Sequence, residues 1–225
     1  APAIPELDFS AQIFNRDGSK AENCINGARC FGKYVFDTGL LDKEELLVGI
    51  EKNKWKISHP EKNAYAVEQE ISDLNTGKDL LPKPNPSGLH TLDLEDDILE
   101  VGYVNLGNPH AINFTKKIND MPLDNWGHYL QGSEWFPEGV NLTLAEMRSP
   151  REINIRVFER GVGETLACGS GACATVVIGL QLGYLQQEVQ VNFKKGSLYI
   201  KYDLKNQRLI SKGSADFLEE IYILV

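Results

Sequence analysis

The chain has 225 residues, of which 42% are hydrophobic and 24% are charged, so it can form a buried core as one large domain or two smaller ones. Its formal net charge of −9 argues against a nucleic-acid-binding surface, which needs clustered lysine and arginine. No apolar stretch approaches the roughly 20 residues that cross a bilayer, and the first residues do not have the pattern of a signal peptide. We therefore expect a cytoplasmic protein without nucleic-acid or membrane partners.

The first part of the chain is predicted to contain strands and one helix. Alternating apolar and polar residues predict a strand over 7–14. The residues 28–39 are typical of a helix that ends near Gly39, because glycine commonly closes helices. Two short strands are expected over 45–50 and 54–59.

The second part of the chain is predicted to be richer in strands. Three prolines predict a loop over 81–88. The residues 116–130 fit neither a helix nor a strand clearly, whereas the apolar run from Ala172 predicts a buried helix. The remaining segments with strand patterns are 98–105, 153–158, 188–193, 197–203 and 207–210.

An internal repeat is the strongest feature of the sequence. The segment IFNRDGSKAENCINGAR (13–29) aligns with VFERGVGETLACGSGAC (157–173), and in each copy a phenylalanine stands ten positions before a cysteine, Cys24 or Cys168. Two copies of one unit imply two pseudo-symmetric halves, which we place at residues 1–108 and 109–225. We expect an α/β fold of the α+β type, in which each half has a mostly antiparallel, barrel-like sheet around a central helix.

Each repeat places its cysteine at the start of a predicted helix. The unpaired N–H groups and the dipole at a helix N-terminus favour a thiolate there and also bind carboxylates. Small residues let a ligand approach the backbone, and Gly169 and Ser170 provide them in the second copy. In the first copy Asn26 fits this role, but the branched Ile25 does not.

If the two halves face each other, both cysteines and both helix N-termini meet in one cleft. One thiolate can then remove the proton from a carbon next to a carboxylate, while the other thiol protonates the opposite face. The helix ends stabilise the charge that develops on the carboxylate. The predicted chemistry is inversion of a stereocentre without a metal or an organic cofactor.

Other uses of the four cysteines were weighed against this one. A structural zinc site is disfavoured, because the C-x5-C and C-x4-C spacings are wider than those of zinc knuckles. A disulfide between Cys24 and Cys168 is not expected as the working state in a reducing compartment. Cys30 and Cys173 lie within the predicted helices and are expected to be buried packing residues.

The segments around both cysteines resemble the diaminopimelate epimerase family. The sequences CINGARC at 24–30 and ERGVGETLACGSGACA at 159–174 are similar to its two signature segments, and GNPH at 107–110 and FPEGVN at 136–141 to two further ones. The resemblance implies interconversion of LL- and meso-diaminopimelate, on the path to lysine and peptidoglycan. It also implies that no cofactor is used, and it favours a homodimer.

The resemblance implies roles for individual residues. Cys24 and Cys168 are implied as the acid/base pair, with His110 and Glu159 as helpers. Arg160 suits the distal carboxylate of the substrate, because a guanidinium binds a carboxylate with two hydrogen bonds. From spacing alone, His110 could merely cap a loop and Glu159 could be a surface charge. The full set of expected substrate-binding residues is Asn15, Ile25, Asn26, Asn108, Asn141, Glu159, Arg160, Gly169 and Ser170.

The sequence departs from the family pattern in two places. Ile25 stands where the family has glycine, and a branched residue there suits neither a tight nor a positive-φ backbone and would crowd the ligand. The family also begins with several dozen residues that are not found here, so we expect an incomplete N-terminal half. Two alternatives to diaminopimelate epimerisation therefore stay open: another two-cysteine amino-acid racemase, and a truncated, inactive relic that only binds substrate.

Overall fold

The computed structural model describes residues 6–14, 18, 20, 24–50, 53–71, 74–75 and 77–217. Strands dominate this part of the chain. They are β1 (Phe9–Ala11), β2 (Glu45–Ile50), β3 (Asn53–Glu61), β4 (Ala64–Glu70), β5 (His90–Asp93), β6 (Ile98–Asn105), β7 (Pro109–Phe114), β8 (Asn141–Ser149), β9 (Glu152–Glu159), β10 (Gly163–Thr165), β11 (Glu188–Asn192), β12 (Ser197–Asp203) and β13 (Arg208–Gly213).

Three α-helices accompany the strands in the described residues. They are α1 (Ile25–Thr38), α2 (Leu123–Leu130) and α3 (Gly169–Gln181), and one turn of 3₁₀ helix spans Lys78–Leu80. None of these helices is long and apolar enough to span a membrane.

One continuous mixed sheet contains the strands in the order β1-β2-β3-β4-β13-β12-β11-β9-β8-β7-β6-β5, with β10 paired to β9. The pairs β1–β2, β7–β8 and β9–β11 are parallel, and the other pairs are antiparallel. Helix α1 packs on β3 and β4, whereas α3 packs against β6, β7, β8, β12 and β13. The expected fold class, a mostly antiparallel sheet curled around a central helix in each half, is confirmed.

The sequence repeat is visible in the pairing of the strands. In each copy a strand, β1 or β9, is parallel to the strand after the helix, β2 or β11. The hairpins that precede the cysteines also share one register, because Phe14 faces Lys20 in the first copy and Phe158 faces Glu164 in the second. The two units are therefore pseudo-symmetric in backbone structure. The division between 1–108 and 109–225 falls in the turn that joins β6 to β7, and it stays a prediction.

The hydrophobic core consists of two clusters. The larger cluster surrounds α1 and α3, and the smaller one lies between α2 and strands β5 to β8. Helix α3 is apolar on all sides and almost entirely buried, as expected for a helix enclosed by strands. It approaches β6 so closely that a Cβ on Gly102 would lie 2.3 Å from Cγ2 of Ile178. The C-terminal part of α3 is thereby packed directly on β6.

Several predicted element boundaries are corrected. The strand predicted over 7–14 is reduced to β1, and the ambiguous segment 116–130 contains α2. Helices α1 and α3 each begin three residues earlier than predicted, because cysteine caps both of them instead of the usual Ser, Thr, Asp or Asn. The prediction that Cys30 is buried is wrong: α1 turns that side chain to solvent, while Cys173 is fully buried in α3.

Candidate active site

The two repeated cysteines occupy equivalent positions at the ends of two helices. Cys24 is the N-cap of α1, and its Sγ accepts a hydrogen bond of 3.4 Å from the backbone N–H of Gly27. Cys168 is the N-cap of α3, and its Sγ accepts a hydrogen bond of 3.4 Å from the N–H of Gly171. Each sulfur therefore lies among the first N–H groups of its helix, where negative charge is stabilised.

The N-termini of the two helices lie against each other. A Cβ on Gly169, the first residue of α3, would lie 2.7 Å from Oδ1 of Asn26 and 3.5 Å from Cβ of Ile25 in the first turn of α1. The absence of a side chain at Gly169 is what allows this close approach. The structure thus brings both cysteine-bearing helix ends to one place, as the repeat predicted.

The thiol of Cys168 is buried and stands beside a carboxylate. Burial, followed by the negative charge of Glu159, raises the pKa of Cys168 to about 12. Glu159 ends β9 and accepts a hydrogen bond from the hydroxyl of Thr165, while the hydroxyl of Ser170 lies 3.5 Å from the sulfur. Cys168 therefore holds its proton at neutral pH, whereas Cys24 is only partly buried.

Four other predicted residues lie close together at the ends of three neighbouring strands, where β7 and β8 begin and β9 ends. Asn141 donates to the carbonyl of Pro109 and accepts from the backbone N–H of Arg160, so its amide ties these strands together. His110 is fully buried, with Nε2 3.0 Å from Oδ1 of Asn108. Burial, and then the charge of Arg160, lowers the pKa of His110 to about 3, so the imidazole is neutral.

Two further predicted substrate-binding residues are Ile25 and Asn15. Ile25 forms the first residue of α1 with a helical backbone, and it is not among the residues with positive φ. The expected conflict with a positive-φ backbone is therefore wrong, because a β-branched residue adopts helical φ without strain. The side chain of Ile25 is buried in the core beside α3. Asn15 lies outside the described residues.

The sequence reasoning missed two polar side chains at the site. Thr165, which binds the carboxylate of Glu159, lies inside the second signature segment and has no distinguishing spacing of its own. Arg29 donates a hydrogen bond of 2.6 Å to Oδ1 of Asn26. The repeat itself carried a signal for Arg29, because the alignment pairs this cation with the apolar position of Cys173.

Metal-binding side chains and a separate groove are the remaining features relevant to the site. Within the described residues, no group of three or more His, Cys, Asp or Glu side chains is placed to hold a metal ion. A groove of about 1060 Å³ lies elsewhere, on the polar face of β3, β4, β13 and β12, and its lining includes neither Cys24 nor Cys168. Ion pairs such as Lys201–Glu188 and Lys212–Glu61 flank it.

Comparison with known proteins places this geometry in a family. A family model described as diaminopimelate epimerase matches residues 102–218. A diaminopimelate epimerase from Nitrosospira multiformis is 36% identical over 220 residues, which cover 93% of this chain and 76% of the relative. One from Teredinibacter turnerae is 35% identical over 215 residues, covering 96% and 78%.

Solved structures of lower identity share the fold. A PhzF-family phenazine biosynthesis protein from Bacillus anthracis matches with a TM-score of 0.68 at 14% identity, over 99% of this chain and 83% of that one. A hydroxyproline epimerase from Agrobacterium vitis matches with a TM-score of 0.59 at 12% identity, over 96% and 71%. The chain therefore has the mixed α/β fold of this class, and in it Cys24 and Cys168 lie at the N-termini of two helices. Within that class, the chain belongs to the diaminopimelate epimerase family.

Proposed function

We propose that this chain epimerises diaminopimelate, interconverting the LL and meso forms by two-base proton transfer between Cys24 and Cys168. The observation that carries the proposal is the equivalent placement of these two thiols as N-caps of helices whose first turns touch. Membership of the family supports the choice of substrate.

In this mechanism the two thiols act on opposite faces of the α-carbon. Cys168 is protonated at neutral pH, because burial and Glu159 raise its pKa to about 12, so it is ready to donate a proton. Cys24 removes the α-proton from the other face, and the roles exchange in the reverse reaction. The N–H groups at the starts of α1 and α3 stabilise the charge that develops on the α-carboxylate.

The remaining predicted residues are proposed to bind the rest of the substrate. Arg160 has its guanidinium near the loop before β8, where Nη1 donates 3.3 Å to the carbonyl of Glu138, and it is assigned the distal carboxylate. Neutral His110 and the amides of Asn108 and Asn141 lie at the same strand ends and serve the polar groups around the reacting carbon. The other assigned contacts are those of Asn15, Ile25, Asn26, Glu159, Gly169 and Ser170.

The role of Glu159 is proposed to be electrostatic. Its carboxylate is held by Thr165 on one side and lies beside the thiol of Cys168 on the other. A negative charge there disfavours the thiolate of Cys168, so it favours return of the proton to that sulfur. Glu159 therefore helps to reset Cys168 after each turnover.

The proposal extends to the setting of the enzyme. The reaction is proposed to need no metal or organic cofactor, because the two thiols carry the proton transfer. We further propose a homodimer located in the cytoplasm, on the strength of the family resemblance. Sedimentation of the purified chain tests the dimer, and a monomer at micromolar concentration contradicts it.

The function is tested by two measurements on the same preparation. Calorimetry measures binding of meso-diaminopimelate, and an epimerisation assay measures its conversion to the LL form. Binding with turnover supports the proposal, whereas binding without turnover identifies a relic that only holds substrate. Absence of binding, combined with turnover of proline or glutamate, identifies a different two-cysteine racemase and contradicts the choice of substrate.

A further inference from the structure

A buried cation next to the first cysteine is not explained by the proposed mechanism. The side chain of Arg29 is only 7% exposed, and no acidic residue pairs with it among the residues that the structure describes. Its Nε and Nη1 are buried and have no hydrogen-bond partner in the described part of the chain. Burying a charge without an opposite charge costs free energy, and a negatively charged group bound during function would offset that cost.

The surroundings of Arg29 are apolar or weakly acidic. The titratable groups whose charges act on it are the thiols of Cys173, Cys30 and Cys24, while burial lowers the pKa of the guanidinium. An arginine nevertheless remains protonated in proteins. Gly213 of β13 lies beside the guanidinium, since a Cβ there would be in van der Waals contact with Nε at 3.5 Å. The cation is thus enclosed between α1, α3 and β13.

The hydrogen bond from Arg29 to Asn26 fixes a residue at the meeting point of the two helices. Nη2 donates 2.6 Å to Oδ1 of Asn26, and an arginine can only donate, so the amide oxygen must face it. The amide NH₂ of Asn26 is then left to donate elsewhere. The same amide packs on Gly169 at the first turn of α3, beside the N–H groups proposed to bind the α-carboxylate.

The repeat shows that this cation is a specialised feature of one half. In the alignment of the two copies, Arg29 is equivalent to Cys173, five residues after each candidate catalytic cysteine. The two side chains lie close to one another across the pseudo-symmetry, with Cys173 buried and neutral because burial raises its pKa to about 12. Of these two equivalent positions, only the one in the first copy carries a positive charge, and it lies next to the N-termini of both α1 and α3.

We propose that Arg29 is a positioning residue for the substrate α-carboxylate. It fixes the Asn26 amide against the start of α3, and it places behind the two helix N-termini a positive charge that no acidic residue in the described part of the chain neutralises. This inference rests on the proposed function for its substrate, but the charge that it assigns to the site does not depend on that substrate. The expected consequences are a shared effect of Arg29 and Asn26 on turnover, and attraction of carboxylate-bearing reagents to Cys24.

The first test is a double-mutant cycle on epimerisation with Arg29→Met, Asn26→Ala and the double variant. Each single change is expected to lower kcat/KM by roughly 10- to 100-fold, because it removes a hydrogen bond that involves a charged group. The double variant is expected to be within about threefold of Arg29→Met, since the two residues act as one unit. Arg29→Lys keeps the charge but loses the planar fork of donors, so it is expected to recover only part of the loss and to stay at least about threefold below the wild type. Fully multiplicative effects overturn the proposal.

The second test needs no substrate. In a Cys30→Ser background, the alkylation rates of Cys24 are compared for iodoacetate, which carries a carboxylate, and neutral iodoacetamide, with the modified cysteine identified by peptide mass. Arg29→Met is expected to lower the iodoacetate-to-iodoacetamide ratio by roughly tenfold, since a positive charge near the site attracts the anionic reagent. An unchanged ratio in a folded Arg29→Met variant overturns the proposal.

Lys33→Met provides the matched control for both tests. Lys33 lies one turn further along α1, is also largely buried, and pairs with Asp37 at 2.6 Å. Loss of this cation is expected to leave the reagent ratio within about twofold, because its charge is already neutralised by a partner. An equal drop in the two variants would mean that net charge alone acts, which overturns the proposal.

The two tests also separate this inference from the proposed function. If the wild-type chain does not turn over diaminopimelate, the function fails, and the reagent ratio still decides the role of Arg29. If Arg29→Met does not fold, as judged by circular dichroism and thermal unfolding, Arg29→Lys decides. A folded Arg29→Lys variant with wild-type kcat/KM and no coupling to Asn26→Ala overturns the proposal, whereas a coupled loss supports it.

Discussion

The unit around Cys24 and the unit around Cys168 have the same backbone but different chemical surroundings. In both units a phenylalanine pairs in antiparallel register with the residue six positions later. In both, a cysteine caps the helix, and its Sγ accepts a hydrogen bond of 3.4 Å from the third N–H of that helix. The strands before and after each helix form a parallel pair. The common geometry follows from the sequence repeat. The repeat explains why the two thiols occupy equivalent positions at the N-termini of α1 and α3.

The side chains break this symmetry. Cys168 is buried beside Glu159 at the N-terminus of α3, which strands enclose. Cys24 is partly exposed at the N-terminus of α1, and this helix exposes Tyr34 and Cys30 to solvent. The buried cation Arg29 belongs to the first unit, and its equivalent in the second is Cys173. A repeated backbone thus places two cysteines at matched positions, while residues that are not repeated give the two thiols different surroundings.

The largest expected effect tests whether both units are needed. Cys24→Ala or Cys168→Ala should each reduce epimerisation at least roughly 1000-fold, because inversion needs a proton donor and an acceptor on opposite faces. The corresponding serine variants should retain only a trace, since a hydroxyl is a much weaker base than a thiolate. Steady-state epimerisation of diaminopimelate checks this, with Cys30→Ala as the matched control of near-normal activity.

The same assay distinguishes the two-thiol mechanism from metal chemistry. In deuterated water, deuterium should appear at the α-carbon of the newly formed epimer, because a thiol exchanges its proton with solvent. Dialysis against EDTA should leave the rate unchanged. Near-normal turnover in either alanine variant contradicts the need for both units, and loss of activity with EDTA that zinc restores would replace the mechanism.

The repeat made the symmetric part of this comparison predictable. A phenylalanine ten positions before each cysteine was enough to predict two equivalent units and a cysteine at the start of each helix. The start of each helix was misplaced, because a thiol N-cap has no propensity signal comparable with that of serine or aspartate.

The asymmetric part depends on contacts that the sequence does not contain. The burial of Cys168 depends on how strands β6 to β8, β12 and β13 enclose α3. The pairing of Arg29 with Asn26 becomes informative only when Gly169 is seen beside it. The exposure of Cys30 was missed for the same reason: periodicity marks one face of α1 as apolar, but it does not show how completely strands cover the rest.

A second, smaller effect is expected from the neutral imidazole of the second unit. Burial holds the pKa of His110 at about 3, below its ordinary value of 6.5, so the unfolded chain binds a proton there first as the pH falls. The stability that neutral His110 contributes is complete above pH 6.5 and is lost towards pH 3. Between pH 7 and pH 5 the free energy of unfolding should fall by about 2 kcal/mol from this group alone.

Urea unfolding at the two pH values measures this loss. His110→Gln should remove about 2 kcal/mol of the pH dependence, even if it lowers stability at pH 7. His59→Gln, which removes an exposed imidazole from β3 in the first unit, serves as the control. An identical pH dependence in the wild type and His110→Gln would mean that His110 is not held neutral in the folded state.

The smallest expected effect compares the starts of the two helices. A Cβ on Gly169 would lie 2.7 Å from Oδ1 of Asn26, and one on Gly27 would lie 2.6 Å from Cδ1 of Ile13. The end of the Ile13 side chain can rotate away, and Sγ of Cys24, 3.3 Å from a Cβ on Gly27, needs to give by only a few tenths of an ångström. The Asn26 amide is held by Arg29, so Gly169→Ala must displace a fixed group. Gly169→Ala should therefore lower kcat/KM by roughly tenfold, and Gly27→Ala by less. Kinetics of the two variants at equal thermal stability decides the comparison. An equal or larger loss in Gly27→Ala would show that the close contact between the helices does not depend on the fixed Asn26 amide.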